Sequence, residues 1–203
     1  MWKDIIDEDL IVINPQVKNK DELFEGMVNH VYERDYLKNQ KRFLLALKKR
    51  EKISNTELIQ GVALPHARSD LVEKMFLCLI IIKDGIDFGN PDMGPVQIIF
   101  FFGCTEAQNK EYLQLLAKSS RLLKNDDFRK NLLTCNSPKE VLDILMKYDD
   151  EEQSTEQDGH HLLVLTLQDT DNVPEVLEAM VEIGITNSSI VDSTSMARKM
   201  AYE

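Results

Sequence analysis

The chain has few of the residues that build disulfide frameworks, metal sites or membrane spans. Its 203 residues include three cysteines, Cys78, Cys104 and Cys135, and no two of them form a Cys-x-x-Cys pair. An odd number of widely spaced thiols argues against a disulfide framework and against a zinc site. No apolar run approaches the roughly 18 residues of a membrane span, and the N-terminus lacks the apolar core of a signal peptide. We therefore expect a cytoplasmic protein with no cofactor, no metal and no segment inserted in a membrane.

Basic residues are also scarce, since 24 lysines and arginines stand against 35 aspartates and glutamates and the net charge is −11. This balance disfavours nucleic acid as a partner, because nucleic-acid-binding proteins present a cationic face. Much of the acidic excess lies between Asp149 and Asp158, where six of ten residues are acidic and no apolar residue anchors them. Such a segment repels itself and stays solvated. It predicts a linker over 149–159 that separates a main domain, 1–148, from a small C-terminal segment, 160–203.

The apolar residues, 43% of the chain, are enough for a substantial core. Two continuous runs over 76–82 and 96–103 are rich in β-branched and aromatic residues, and they predict buried strands. Shorter strands are predicted over 10–13 and 62–64. Helical spacing of apolar residues and suitable caps predict helices over 20–32, 40–49, 109–124, 126–133 and 138–145. This alternation indicates a layered α/β domain.

The C-terminal segment has a pattern of its own. Short apolar runs over 162–167 and 185–191 predict two strands. Between them, Pro174 opens a helix and Gly184 ends it. This βαβ order resembles the first half of a P-II-like, ferredoxin-type domain. Half of such a fold cannot bury both faces of its sheet alone, so we expect the segment to pair with a second copy, as a homo-oligomer, or with the main domain.

The most informative stretch is Gly61-Val62-Ala63-Leu64-Pro65-His66-Ala67-Arg68, which has one histidine directly behind a proline. Proline fixes its own φ and biases the preceding residue toward extended geometry. A strand is therefore expected to end here and His66 to begin a loop, with its ring at the surface or in a cleft. Neutral imidazole, with an ordinary pKa of about 6.5, is a nucleophile near neutral pH. Acyl, phosphoryl and metal chemistry fit this pattern equally, and so does a histidine that caps a strand end by hydrogen bonding to the backbone.

The motif resembles the phosphorylation site of the fructose/mannitol-type (type 2) enzyme IIA domain of the phosphoenolpyruvate-dependent sugar phosphotransferase system (PTS). The similarity extends over about residues 5–147. The family's Arg-Glu pair is matched by Arg50-Glu51, sixteen residues before His66, and its Ser-Thr pair by Asn55-Thr56. The resemblance implies a mixed central sheet sandwiched by helices, of the phosphotransferase/anion-transport-protein type. It also implies that His66 accepts phosphate from the histidine-containing phosphocarrier protein and passes it to a IIB cysteine, for sugar uptake or regulation.

Two further side chains, Arg50 and Thr56, have roles that the resemblance implies, and Arg68 has one that follows from its place two residues after His66. Each has an ordinary alternative. Arg50 would stabilise phosphoryl oxygens, because guanidinium binds phosphate bidentately and stays charged; the alternative is a solvated cation at a helix end. Thr56 would donate a hydrogen bond to a phosphoryl oxygen or orient the imidazole, and otherwise is a plain turn residue. Arg68 would help to bind phosphate or contact a carrier protein, and otherwise is exposed without a function.

Two departures from the family pattern put phosphoryl transfer in question. The family's second histidine falls, counted without gaps from His66, on Tyr112. A phenol can donate a hydrogen bond to phosphate, but with a pKa near 10 it cannot shuttle protons at neutral pH as imidazole does. The glycines that flank the family's threonine are Glu57 and Ile59 here, which adds a like charge and makes backbone amides less accessible. A transfer-deficient regulatory or binding module that keeps the IIA fold is therefore the alternative function.

Two other chemistries find little support in the sequence. The adjacent pair His160-His161 could chelate a transition metal, but with no cysteine or third histidine nearby an ordinary loop is favoured. A hydrolase is disfavoured because no Gly-x-Ser-x-Gly, His-Glu-x-x-His or Walker motif is present. The sequence does not identify a sugar, since in this system the membrane component recognises it.

Overall fold

A computed structural model describes residues 2–154 and 173–182, and the strands within them form one mixed sheet. The strands are β1 (Ile11–Ile13), β2 (Glu57–Ile59), β3 (Val62–Ala63), β4 (His66–Arg68), β5 (Phe76–Ile86) and β6 (Val96–Cys104). Their order across the sheet is β1-β5-β6-β3-β2, and β4 pairs with the end of β6 that β3 leaves open. β1 runs parallel to β5, and β3 and β4 run parallel to β6, whereas the pairs β5-β6 and β2-β3 are antiparallel.

The long strands β5 and β6 form the centre of the sheet, as their apolar runs predict. Most side chains on both strands are buried, so both faces of the sheet are covered. Successive residues of β6 point to opposite faces. On one face Phe101 packs against Phe43, with ring centroids 6.2 Å apart, and on the other Phe100 packs against Trp2 at 6.5 Å. The core therefore has two apolar layers, one on each side of the sheet.

Helices form the outer layers. α1 and α2 pack against each other, α1 also contacts β5, and α2 also contacts β4; α3 and α4 contact β6, and α5 contacts β1. A mixed sheet between helical layers confirms the predicted fold class. The helices are α1 (Lys20–Tyr32), α2 (Gln40–Ile53), α3 (Asn109–Lys124), α4 (Asp126–Thr134), α5 (Pro138–Ser154) and α6 (Val173–Glu182).

α1 begins directly after Asn19, a residue type that favours helix N-caps. The side chain of Asn19 accepts a hydrogen bond from the backbone N–H of Glu22 at 2.9 Å. Glu22 in turn accepts from the N–H of Lys18 at 2.9 Å, one residue before the cap rather than at the cap itself. The cap fixes where the helix begins and so fixes the position of its first residue, Lys20, which reaches the functional site.

α5 is longer than the sequence predicts and continues to Ser154, through the first part of the predicted linker 149–159. The physical reason is a set of contacts made by Asp149, which is buried rather than solvated. Its carboxylate accepts a hydrogen bond from Nε1 of Trp2 at 2.7 Å and forms an ion pair with Lys118. A negative charge with these partners belongs to the folded domain. The remainder of the predicted linker, 155–159, lies outside the described residues.

The described part of the C-terminal segment is α6, which matches the helix predicted from Pro174. α6 lies against α3. This contact agrees with one of the two expected pairings, and pairing of the segment with a second copy stays a prediction. The predicted strands 162–167 and 185–191, and the pair His160-His161, lie outside the described residues. No helix within 2–154 or 173–182 is long and apolar enough to cross a membrane.

Candidate functional site

His66 lies in a short strand rather than at the start of a loop. After Pro65 the backbone joins the sheet again: the N–H of Phe102 donates to the carbonyl of Pro65 at 3.0 Å, and β4 pairs with β6 from His66 opposite Phe102 onward. The prediction that the ring lies at the surface or in a cleft is wrong, since His66 is 1% exposed. Proline ends β3 because it lacks an N–H, but its carbonyl still accepts a hydrogen bond, so the chain continues along β6.

The two ring nitrogens of His66 have different partners, and the partners fix the tautomer. Nδ1 lies 2.7 Å from the carbonyl oxygen of Leu64, which can only accept a hydrogen bond. Nε2 lies 2.8 Å from Nε of Arg50, which can only donate one. Nδ1 therefore carries the proton, and Nε2 presents the lone pair. The nucleophilic atom of this ring is Nε2.

Arg50 comes from the last turn of α2, which packs against β4. Besides its bond to His66, it donates from an NH group to the backbone carbonyl of Ser54 at 3.1 Å. The second contact holds the guanidinium at the C-terminal end of the helix, where a cation is stabilised by the helix dipole. The structure thus holds a guanidinium directly against Nε2 of His66.

Thr56 is buried beside the site, but its hydroxyl is directed to a carboxylate. Oγ1 of Thr56 donates to Glu51 at 2.7 Å, and the backbone N–H of Thr56 donates to the other oxygen of the same carboxylate at 3.2 Å. Glu51 also pairs with Lys20 of α1 at 2.5 Å. The Thr56 carbonyl accepts from the N–H of Leu64 at 2.9 Å. A direct role of Thr56 toward the imidazole or a phosphoryl oxygen stays a prediction.

Tyr112, on the first turns of α3, lies next to His66. The centroids of the two rings are 5.7 Å apart, and Tyr112 is 1% exposed. Arg68 also lies beside the phenol, with its guanidinium carbon 5.8 Å from the centre of the ring. Counting from His66 thus identifies a residue that is in contact with it. The structure thus brings together Arg50, His66, Tyr112 and Arg68. Thr56 is connected to His66 through hydrogen bonds of Leu64.

A cleft of about 330 Å³ opens beside the loop that carries Thr56. Glu57 lines it, and burial raises the pKa of this carboxyl above its ordinary value. One oxygen of Glu57 accepts from the side chain of Asn55 at 2.8 Å, while the other is buried without a hydrogen-bond partner. Glu57, which the resemblance matches to a family glycine, thus places a carboxyl group in the lining of this cleft. The cleft is lined by Ser54, Asn55, Thr56, Glu57, Leu58, Leu64 and Lys124.

Glu51 is the functional candidate that sequence reasoning left without a role. In the sequence, only its position directly after Arg50 points to a role for Glu51. Its partners Lys20 and Thr56 lie on other segments, so the contacts become visible only in the structure. No group of three or more histidine, cysteine, aspartate or glutamate side chains within the described ranges is arranged to hold a metal ion.

Comparison with known proteins identifies the family of this chain. The family model described as "Phosphoenolpyruvate-dependent sugar phosphotransferase system, EIIA 2" matches residues 4–148. The chain is 28% identical over 146 residues to the PTS system fructose-specific EIIABC component of Bacillus subtilis (strain 168); the match covers 72% of this chain and 23% of that protein. The chain therefore corresponds to about a quarter of that relative's length.

Two solved structures share the fold. Nitrogen Regulatory Protein IIA-Ntr from Neisseria meningitidis is 32% identical with a TM-score of 0.65, and the match covers 70% of this chain and 96% of that one. IIA mannitol of Escherichia coli, solved in a complex with phosphorylated enzyme IIB, is 19% identical with a TM-score of 0.61, over 70% of this chain and 97% of that one. The predicted resemblance over about 5–147 is thereby confirmed, and the chain belongs to the EIIA 2 family of the phosphoenolpyruvate-dependent sugar phosphotransferase system.

Proposed function

We propose that this protein is a phosphoryl-carrier IIA component that accepts phosphate on Nε2 of His66. The observation that carries the proposal is the pair of bonds on the ring: Leu64 holds the proton on Nδ1, and Arg50 holds a guanidinium on the lone pair of Nε2. A nucleophile with a fixed tautomer and an adjacent cation is suited to phosphoryl transfer. In such transfer the protein mainly positions the groups and neutralises the charge that develops.

The proposed step transfers the phosphoryl group between two histidines. Nε2 of His66 attacks the phosphorus of the phosphohistidine of the carrier protein in line with the bond that breaks, and that bond's electron pair returns to the donor ring. The His66 ring becomes cationic and keeps its Nδ1–H on the Leu64 carbonyl, whose dipole stabilises the charge. The Nε–H of Arg50 then turns from Nε2 to a phosphoryl oxygen, where a guanidinium can bind in a bidentate manner.

The second transfer passes the group to a IIB component. A cysteine thiolate of that partner attacks the phosphorus, a P–S bond forms, the P–N bond breaks, and His66 returns to its neutral tautomer. The solved complex of IIA mannitol with phosphorylated IIB supports this choice of partner. Both partners act in the cytoplasm in this proposal. Because His66 is 1% exposed, the site has to open locally before either partner can reach Nε2.

A second candidate function is a regulatory or binding module that has lost transfer. Tyr112 favours it, because a phenol in contact with His66 cannot exchange protons at neutral pH as a histidine would. The 32% identity to a protein named as a nitrogen regulatory protein favours it as well. In this role the fold and the site would be kept for recognition, with His66 unphosphorylated.

The experiment that separates the two candidates is phosphorylation of the full chain with phosphoenolpyruvate and the general phosphocarrier proteins, read by intact mass. A carrier gains one acid-labile phosphoryl group, His66→Ala abolishes the gain, and the control His30→Gln keeps it. A regulator gains none until Tyr112→His restores labelling. A gain that survives His66→Ala would contradict the carrier proposal, and rapid labelling of the unaltered chain would contradict the regulator.

A further inference from the structure

Glu51 touches neither ring nitrogen of His66, yet it is joined to both of their partners. We propose that Glu51 is a positioning residue that sets the tautomer of His66 and places Arg50 on Nε2. For its effect on transfer, this inference rests on the proposed carrier function. The inference is based on the contacts of the Glu51 carboxylate, which is largely buried. It accepts two hydrogen bonds from Thr56 and pairs with Lys20, and Glu51 directly follows Arg50 in α2.

The first arm of the arrangement reaches Nδ1. Glu51 holds Thr56 by two hydrogen bonds, one from the hydroxyl at 2.7 Å and one from the backbone N–H at 3.2 Å. The Thr56 carbonyl then accepts from Leu64 at 2.9 Å, and the Leu64 carbonyl accepts from Nδ1 of His66 at 2.7 Å. Every link is a hydrogen bond of ordinary length. Because the partner of one ring nitrogen decides which nitrogen carries the proton, this path keeps Nε2 unprotonated.

The second arm reaches Nε2. Glu51 directly follows Arg50 in the last turn of α2, and its pairing with Lys20 ties that turn to the first residue of α1. Lys20 is itself held, since its ammonium donates to the carbonyl of Phe88 at 2.9 Å and lies 4.6 Å from the centre of that ring. The last turn of a helix otherwise frays readily. With the turn fixed on α1, the guanidinium of Arg50 is fixed on the ring.

Burial explains why this carboxylate has more effect than a surface ion pair. The Glu51 side chain is 9% exposed and Lys20 is 23% exposed, so the hydrogen bonds of this charge are poorly replaced by water. A matched pair offers a comparison in the same molecule. Glu25 and Lys48 also join α1 to α2, at 3.3 Å, but the Glu25 side chain is 59% exposed. Exposed pairs of that kind contribute little.

The test reads the ring directly, using ¹⁵N spectra of the full chain at pH 8, with His66 assigned from the His66→Ala spectrum. We expect a protonated Nδ1 and a lone-pair Nε2 in the unaltered chain, and averaged nitrogens in Glu51→Gln and Thr56→Val. Thr56→Ser restores the hydroxyl and therefore the wild-type signals, and Glu25→Gln leaves them unchanged. Rates of His66 phosphorylation follow the same order, with about a tenfold loss in Glu51→Gln and Thr56→Val.

The spectra test the effect of Glu51 on the His66 tautomer even if the protein is not a phosphoryl carrier, because the tautomer is measured without any phosphoryl donor. Should Glu51→Gln not fold, the comparison of Thr56→Val with Thr56→Ser decides in its place. A wild-type tautomer in both Glu51→Gln and Thr56→Val would overturn the proposal. So would a proton on Nε2 in the unaltered chain, or a lost tautomer with an unchanged phosphorylation rate.

Discussion

Arg50 donates its Nε–H to Nε2 of His66 at 2.8 Å, so the group suited to bind phosphate occupies the lone pair that would attack it. In the carrier role that we propose, this lone pair is therefore blocked by Arg50 in the resting protein. An incoming phosphoryl group would release it, because its oxygens offer the guanidinium stronger, charge-assisted acceptors than a ring nitrogen does. The exchange would free the lone pair when the phosphoryl group arrives.

Arg50→Lys tests whether the guanidinium fork matters beyond its charge. Lysine keeps the positive charge but cannot hold Ser54 and the ring, or a phosphoryl group, with two parallel donors. We expect the rate of His66 phosphorylation to fall by about a hundredfold, measured by quenched-flow labelling. Arg42→Lys, an exposed change on the same helix, is the control and should label at the wild-type rate. Equal rates for both variants would contradict the role of Arg50.

Gly103 and Gly26 should respond to alanine in opposite directions. A Cβ on Gly103 would lie 2.3 Å from the ring of Phe76, so Gly103→Ala should lower the free energy of unfolding by about 1–3 kcal/mol through overpacking. A Cβ on Gly26, in the middle of α1, would meet nothing within 4 Å. Gly26→Ala should therefore stabilise by about 0.8–1 kcal/mol. Urea denaturation measures both, and a neutral Gly103→Ala would contradict the close packing of the Phe76 ring on Gly103.

Protonation of His30 should lower the free energy of unfolding in mild acid. Burial lowers the pKa of His30, whose Nε2 lies 2.7 Å from the carbonyl of Asp9. The folded state thus binds the proton less readily than the unfolded chain, whose histidine titrates at about 6.5. The contribution of His30 is present above that pH and is lost as the pH falls through the lower folded value. Urea midpoints from pH 7.5 to pH 5 should therefore drop less in His30→Gln than in the unaltered chain; parallel curves would count against this.

The thiols should be inert in the folded protein. Cys78, Cys104 and Cys135 are all buried. Burial raises the pKa of Cys78 to about 12 and also raises that of Cys135. Since only the thiolate reacts, a disulfide reagent at pH 8 should modify none of them until denaturant is added, and then all three. Rapid modification of Cys78 in the native protein would show that β5 opens easily.

Asp149→Ala should destabilise the protein by about 3 kcal/mol, because it leaves the Lys118 ammonium and the Trp2 indole N–H without their buried acceptor. The change should also alter the fluorescence of Trp2, the single tryptophan of the chain. Asp143→Ala, an exposed position on the same helix, is the control. Thermal and urea unfolding check both variants, and equal stability would place 149–154 in the solvated linker after all.

Most strands and helices of the fold can be predicted from the local sequence pattern. The predictions fail where contacts with a distant segment determine the structure. The run over 96–103 and the spacing over 109–124 are strong enough to predict β6 and α3 alone. Nothing in the acidic stretch after Asp149 indicates that Trp2, at the other end of the domain, binds its carboxylate. Likewise, a rule for the residue before proline cannot show that β4 pairs with β6 once Pro65 is passed.

In the candidate site, too, some features can be predicted from the sequence and others depend on tertiary contacts. The resemblance to the family motif pointed to His66, Arg50 and Tyr112, and the structure places Arg50 and Tyr112 each in contact with His66. Spacing could not show that the Thr56 hydroxyl donates to Glu51, because a short side chain beside several acceptors binds whichever the tertiary packing brings closest. Nor could it show that the ring is buried, since the residues that cover it come from separate helices.

The contact between α6 and α3 places the C-terminal segment against a helix of the family domain. α6 lies beyond the region that the family model matches, yet it rests on the helix that carries Tyr112. A segment tethered to its binding surface acts at an effective concentration that dilution cannot reduce. A protein that bound the same face of α3 would have to displace α6, and its apparent affinity would be lowered by the fraction of molecules in which α6 occupies that face.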